Sequence, residues 1–99
     1  MTLDDSKLLA DFDLYLRRRA ASASTRENYA DAVRMFGRSS AACPLDLVTV
    51  REVSGWLAEL EAAGRSRSTW LSRRAALGAF LAFLVSRAEP EAAALRRAA

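Results

Sequence analysis

A chain of 99 residues and 10.8 kDa can build one modest core, and its 52% hydrophobic and 27% charged residues mark an ordinary globular domain, not a disordered tail. Four Gly and two Pro are too few for a β-sandwich or barrel, no apolar run is long enough to span a bilayer, and the start Met1-Thr2-Leu3-Asp4-Asp5-Ser6 lacks the order of a signal peptide. The single Cys43 excludes an internal disulfide and fits a reducing, cytoplasmic interior, while the absence of His weakens most enzymatic readings.

Four helices are expected in chain order. Leu8, Leu9, Phe12, Tyr15 and Leu16 recur at helical spacing and predict helix 1 over about Ser6–Arg18. Asp4 and Asp5 stand at its positive end and Arg17–Arg19 at its negative end, both favourable for the helix dipole. Helix 2 is expected to begin at Ser24, with Glu27 completing a capping box, and to end near Gly37–Ser39. Its stripe is Tyr29, Val33 and Phe36. Ser39–Pro44 reads as the clearest loop, and Leu45–Val50 as the only β-leaning run. A second capping box, Thr49 with Glu52, opens helix 3, whose stripe is Val50, Val53, Leu57 and Leu60 and whose stop is Gly64. Trp56 lies beside that stripe, either in the core or as a docking surface. Helix 4 runs from Ser66 or Ser68 to Arg87 with Trp70, Leu77, Phe80, Leu81 and Leu84 on one side. Phe83 points elsewhere, so this helix is expected to be covered from more than one direction. Pro90 is expected to interrupt it, leaving Glu91–Arg97 as a short fifth helix or the start of a linker. The fold class is therefore all-α, a compact four-helix orthogonal bundle.

The charge of +3 is unevenly spread. Residues 1–16 carry one base against four acids, residues 17–38 six bases against two acids, residues 39–64 one against four, and residues 65–87 five arginines and no acid. If the two basic segments share a face, that face suits a polyanion. Both contain a helix start rich in hydroxyls and guanidinium groups: Ser22-Ala23-Ser24-Thr25-Arg26 and Arg65-Ser66-Arg67-Ser68-Thr69. A helix start presents unpaired N–H donors and a positive dipole end, which favour an anion. Arg65 and Arg67 add positive charge where the dipole alone disfavours it, so a bound anion would reverse the balance. Arg73 follows Thr69 by one turn, and Arg34 follows Arg26 by about two. Arg74 projects onto the apolar stripe, so either the first turns of helix 4 extend beyond the core or Arg74 is a partly buried, paired arginine. Plain helix capping by the Ser and Thr residues is the competing explanation of both starts.

Taken together, Phe12–Leu16 with its arginine run, Ser24-Thr25-Arg26-Glu27-Asn28-Tyr29 with Phe36, the Leu47–Leu60 helix with Gly64, and Ser66–Thr69, Arg73, Ala75-Ala76-Leu77, Phe80 and Phe83-Leu84 resemble the N-terminal core-binding (SAM-like) domain of tyrosine recombinases, the phage-integrase family. Three positions depart from the family pattern: Glu89 replaces an Asn before Pro90, Arg74 stands at a usually apolar place and Gly78 at one that is often basic. The resemblance implies a DNA-binding domain over 1–88 and the start of an interdomain linker over 89–99. It implies half of a clamp around double-stranded DNA, with helices 2 and 4 approaching the backbone and major groove. The catalytic domain, with its arginines, histidine-rich motif and tyrosine nucleophile, would be a separate partner, so this chain is not expected to be an enzyme by itself and needs no cofactor or metal. Other recombinase protomers on DNA would be further partners, and the location a bacterial cytoplasm close to the nucleoid. The DNA-contacting candidates are Arg19, Ser24, Thr25, Arg26 and Arg34 at one start and Arg65, Ser66, Arg67, Ser68, Thr69, Arg73 and Arg74 at the other. The competing class is a protein-interaction bundle, in which acidic helices 1 and 3 pair with basic helices 2 and 4 of a second copy.

Overall fold

The computed structural model describes residues 3–39 and 44–98. Cys43 and most of the expected Ser39–Pro44 loop lie outside them. The described chain forms α1 (Leu3–Arg18), α2 (Ala23–Ser39), α3 (Val50–Ala62) and α4 (Arg67–Ala98), with a 3₁₀ turn at Leu45–Leu47. The four helices are as expected, and no strand occurs among the described residues. The β-leaning run instead makes the 3₁₀ turn, which places Leu45 and Val48 in the core. Leu45 packs over Gly37, where an added Cβ would lie 3.4 Å from Leu45 Cδ2, an ordinary contact.

Three boundaries differ from expectation. Helix α1 starts at Leu3, one turn early, which puts Asp5 inside the first turn where a carboxylate favours the dipole. The cap of α2 is Ser22, not Ser24: its Oγ accepts the Thr25 N–H at 3.1 Å and donates to Thr25 Oγ1 at 3.0 Å. Ser24 is therefore already a helical residue, and no Ser24–Glu27 box forms. Helix α4 does not stop at Pro90 and there is no separate fifth helix; it continues to Ala98. Proline removes one N–H bond and crowds the carbonyl four residues earlier, but good helix formers on both sides, Arg87, Ala88 and Glu89 before it and Glu91–Leu95 after it, have high helix propensity, so the helix persists.

The two hairpins, α1–α2 and α3–α4, follow one pattern. Shifting the chain by the spacing between Ser22 and Ser66 carries buried Leu9, Phe12 and Leu16 onto Val53, Trp56 and Leu60, and Ala32, Val33 and Phe36 onto Ala76, Leu77 and Phe80. The ring packing repeats as well. Phe12 meets Phe80 edge-on at 5.2 Å between ring centroids, and Trp56 meets Phe36 in the same manner at 5.5 Å. Each hairpin thus docks an aromatic ring of its first helix against a phenylalanine of the other hairpin's second helix. Phe83 completes the cluster against Phe12 and Tyr15, so α4 is covered from more than one side. Tyr15 and Tyr29 pack against this core as its partly buried margin.

The turns between the helices repeat too. Leu16 O accepts the Ala21 N–H at 3.1 Å and Arg17 O the Ala20 N–H at 3.0 Å; Leu60 O accepts the Arg65 N–H at 3.2 Å and Glu61 O the Gly64 N–H at 3.0 Å. These are Schellman closures with a left-handed residue at the same place, Ala20 (φ 63°) and Gly64 (φ 76°). Ser66 then caps α4 as Ser22 caps α2, its Oγ accepting the Thr69 N–H at 3.2 Å and donating to Thr69 Oγ1 at 2.9 Å.

Candidate nucleic-acid interface

The two helix openings share one backbone but differ in chemistry. At the α2 opening the turn positions are Ala21 and Ala23; at the matching places before and at the start of α4 they are Arg65 and Arg67. One turn and more into each helix, Tyr29 and Ala30 correspond to Arg73 and Arg74. The second hairpin therefore carries four arginines where the first carries none.

Of the candidate arginines on the α2 side, Arg26 and Arg34 are ion-paired. Arg26 Nε donates to Asp13 Oδ1 at 3.0 Å and Arg26 Nη1 to the Ala21 carbonyl at 2.9 Å, with only 19% of the side chain accessible. It ties α2 to α1 and to the turn. Arg34 Nη1 donates to Asp31 Oδ1 at 3.0 Å within its own helix. Arg19 is exposed and lies over the Tyr15 ring, 4.6 Å from its centroid. Thr25 is taken up in the cap, while Ser24 is exposed.

The α4 side is different. Arg65, Arg67 and Arg74 are exposed and Arg73 is half-buried, and among the described residues none has a carboxylate within ion-pair distance. Three of them lie over an indole instead: Arg67 and Arg74 each 5.8 Å from the Trp70 centroid, and Arg73 5.7 Å from that of Trp56. A guanidinium attracted to a ring face spends none of its N–H donors on a carboxylate, so they stay available to a ligand. Arg74 is thus exposed and, among the described residues, has no ion-pair partner, while Trp70 in the same turns packs on the core. Trp56 itself is buried, so it serves the core. No acidic residue stands in the first turn of α4. Ser66 and Thr69 hydroxyls bond to each other and to the backbone, and Ser68 beside them is exposed.

Sequence alone missed Trp70. Its indole Nε1 donates to the Leu57 carbonyl at 3.0 Å, fixing the ring against α3. The same two positions in the first hairpin are Arg26 and Asp13, which also bond at 3.0 Å. The signal was present in the repeat, but a repeat of packing positions with different residue types leaves little direct sequence similarity.

The packing does not bring the two openings side by side. Arg73 and Phe36 both touch Trp56, so the last turns of α2 lie near the first turns of α4. Arg26 reaches Asp13, next to Phe12, which packs on Phe80. The α2 opening therefore belongs with the middle of α4, and Trp70 and Phe80 are about 15 Å apart along the helix axis at 1.5 Å per residue. Arginines without an ion pair among the described residues stand at both places, Arg65, Arg67, Arg73 and Arg74 at the α4 opening and Arg17, Arg18 and Arg19 at the turn before α2, and only at α4 do they line the helix start itself.

The remaining polar pairs are structural. Arg87 Nη1 approaches Asp11 Oδ2 at 3.8 Å, linking α4 to α1. Glu52 accepts the Thr49 N–H at 3.1 Å and the Thr49 hydroxyl, and that hydroxyl is the main reason its carboxyl titrates below the ordinary glutamate range. A carboxylate kept ionised there suits the positive end of α3.

A family model for the phage integrase N-terminal SAM-like domain matches residues 9–88, and the chain belongs to that family. The family is the non-catalytic, all-α part of integrases. No curated protein and no solved structure gives a significant match to the chain. Among the described residues no helix is long and apolar enough to cross a membrane.

Proposed function

We propose that this domain binds double-stranded DNA through the opening of α4 and thereby positions a separate catalytic domain of a tyrosine recombinase. The observation that carries this reading is the set of guanidinium groups of Arg65, Arg67, Arg73 and Arg74, none of them ion-paired among the described residues, around a helix start without an acid. At a helix N-terminus a positive charge such as that of Arg65 or Arg67 is unfavourable by about 0.3–1 kcal/mol, and a phosphate there reverses the sign. Arginines present planar forks of donors, which suit bidentate bonds to phosphate oxygens or to the O6 and N7 of guanine. Exposed Ser68 and the free backbone N–H groups of the first turn add neutral donors. Arg19 and Ser24 flank the duplex from the other hairpin, whereas Arg26 ties α2 to α1 and Arg34 is paired with Asp31 of its own helix. Membership of an integrase family supports the same reading.

An interaction bundle joining acidic helices of one copy to basic helices of another has less support. Two of the α1 carboxylates, Asp13 and Asp11, already meet Arg26 and Arg87 of the same chain.

The test is fluorescence anisotropy of a labelled duplex over a range of salt. Binding should weaken steeply with salt. Arg65→Ala with Arg73→Ala should weaken it on every duplex and flatten the log–log salt slope by about 0.9 for each phosphate no longer neutralised. Salt-independent binding, or full binding by the double variant, rejects this assignment. Arg26→Ala should instead lower the melting temperature.

A further inference from the structure

The geometry points to Trp70 as the positioning residue of this surface, an indole pedestal that holds Arg67 and Arg74 apart and pre-aimed before any ligand arrives. This rests on the reading of the α4 opening as the DNA-facing surface. Arg67 precedes Trp70 by three residues and Arg74 follows it by four, so both fall on the helix face that Trp70 occupies. Both guanidinium carbons lie 5.8 Å from the ring centroid. The ring cannot swing away, because its Nε1 is bonded to the Leu57 carbonyl of α3 and its body packs on the core. An arginine on an exposed helix start otherwise loses considerable rotamer freedom on binding a phosphate. Here that loss is largely met during folding. In the first hairpin the matching residue is Arg26, which spends its donors on Asp13 and the Ala21 carbonyl, and no arginines flank it at the matching places. The indole in the second hairpin makes the same tie to the preceding helix with one N–H and leaves its faces for the arginines.

Two substitutions separate the ring face from the core-filling role. Trp70→Phe keeps an aromatic face and loses the N–H; Trp70→Leu keeps apolar bulk and loses the face. In the free protein, NMR of the Arg67 and Arg74 side chains should show ring-current-shifted Hδ and Nε–Hε signals that persist in Trp70→Phe and collapse to ordinary arginine positions in Trp70→Leu. On a duplex, Trp70→Leu should lose about fivefold in affinity, the combined size of two weak cation–π restraints, and Trp70→Phe much less. In an Arg67→Ala, Arg74→Ala background, Trp70→Leu should bring little further loss. Circular dichroism establishes that each variant is folded; should Trp70→Leu not fold, the comparison of Trp70→Phe with the arginine double variant carries the test. Unshifted arginine signals in the wild-type domain overturn the pedestal, as does an equal loss for the Phe and Leu variants. Shifted signals together with no duplex binding by the wild type leave the pedestal standing as geometry and overturn the DNA reading beneath it.

Discussion

Ala20 and Gly64 perform the same task at the ends of α1 and α3, each in the left-handed region, and only one of them is a glycine. A Cβ in that region meets the following carbonyl at a cost of about 1–2 kcal/mol, partly offset by the smaller unfolded-state entropy of alanine. Ala20→Gly should therefore stabilise the domain by about 0.5–1 kcal/mol and Gly64→Ala destabilise it by about 1 kcal/mol, read from urea midpoints. Opposite signs are the essential result; a destabilising Ala20→Gly would show that the turn is not strained. The Gly64 stop was legible because glycine announces a left-handed residue. The Ala20 stop was not, because alanine carries no such mark and only the backbone reveals it. In the same way the Thr49–Glu52 box could be read directly, while the Ser22 cap was obscured by Ser24 two positions later, equally suited by type.

At the scale of elements, α4 is the exception. Its 32 residues correspond to about 48 Å at 1.5 Å per residue, close to the longest dimension of the molecule, 50 Å. The last buried side chain among the described residues is Phe83, so the turns beyond it are held mainly by helix propensity. A proline inside such a stretch costs about 3 kcal/mol relative to alanine. Pro90→Ala should raise hydrogen-exchange protection of the amides after residue 90 by about one to two orders of magnitude, with little change in duplex affinity. Unchanged protection would mean that something other than the proline limits this segment. The expected break at Pro90 failed because a proline signal is local, whereas the good helix formers on both sides act over several turns.

For the molecule as a whole, the accessible surface of 6762 Å² exceeds the about 5,500 Å² typical of a compact monomer of this mass, which fits a small core with a projecting helix. That core holds no buried polar or charged side chain among the described residues, and it is shared between the hairpins through Phe12–Phe80 and Trp56–Phe36. Phe36→Ala and Phe80→Ala, at matching places, should each cost about 3–5 kcal/mol and leave a single unfolding transition, with tryptophan fluorescence and helical circular dichroism coinciding. Two separate transitions would mean that the hairpins are independent units.

Periodicity and turn residues were enough to determine four helices and their core stripes, because these signals lie within a few turns of one another along the chain. Which arginines remain available was decided only by the tertiary structure. Arg26 and Arg67 are alike in sequence, each beside a helix start, but packing of α1 on α2 brings Asp13 to Arg26, whereas Arg67 meets only Trp70 of its own helix. The carboxylate partner of Arg26 is set by a distance in space, and that distance exists only once α1 and α2 have packed together.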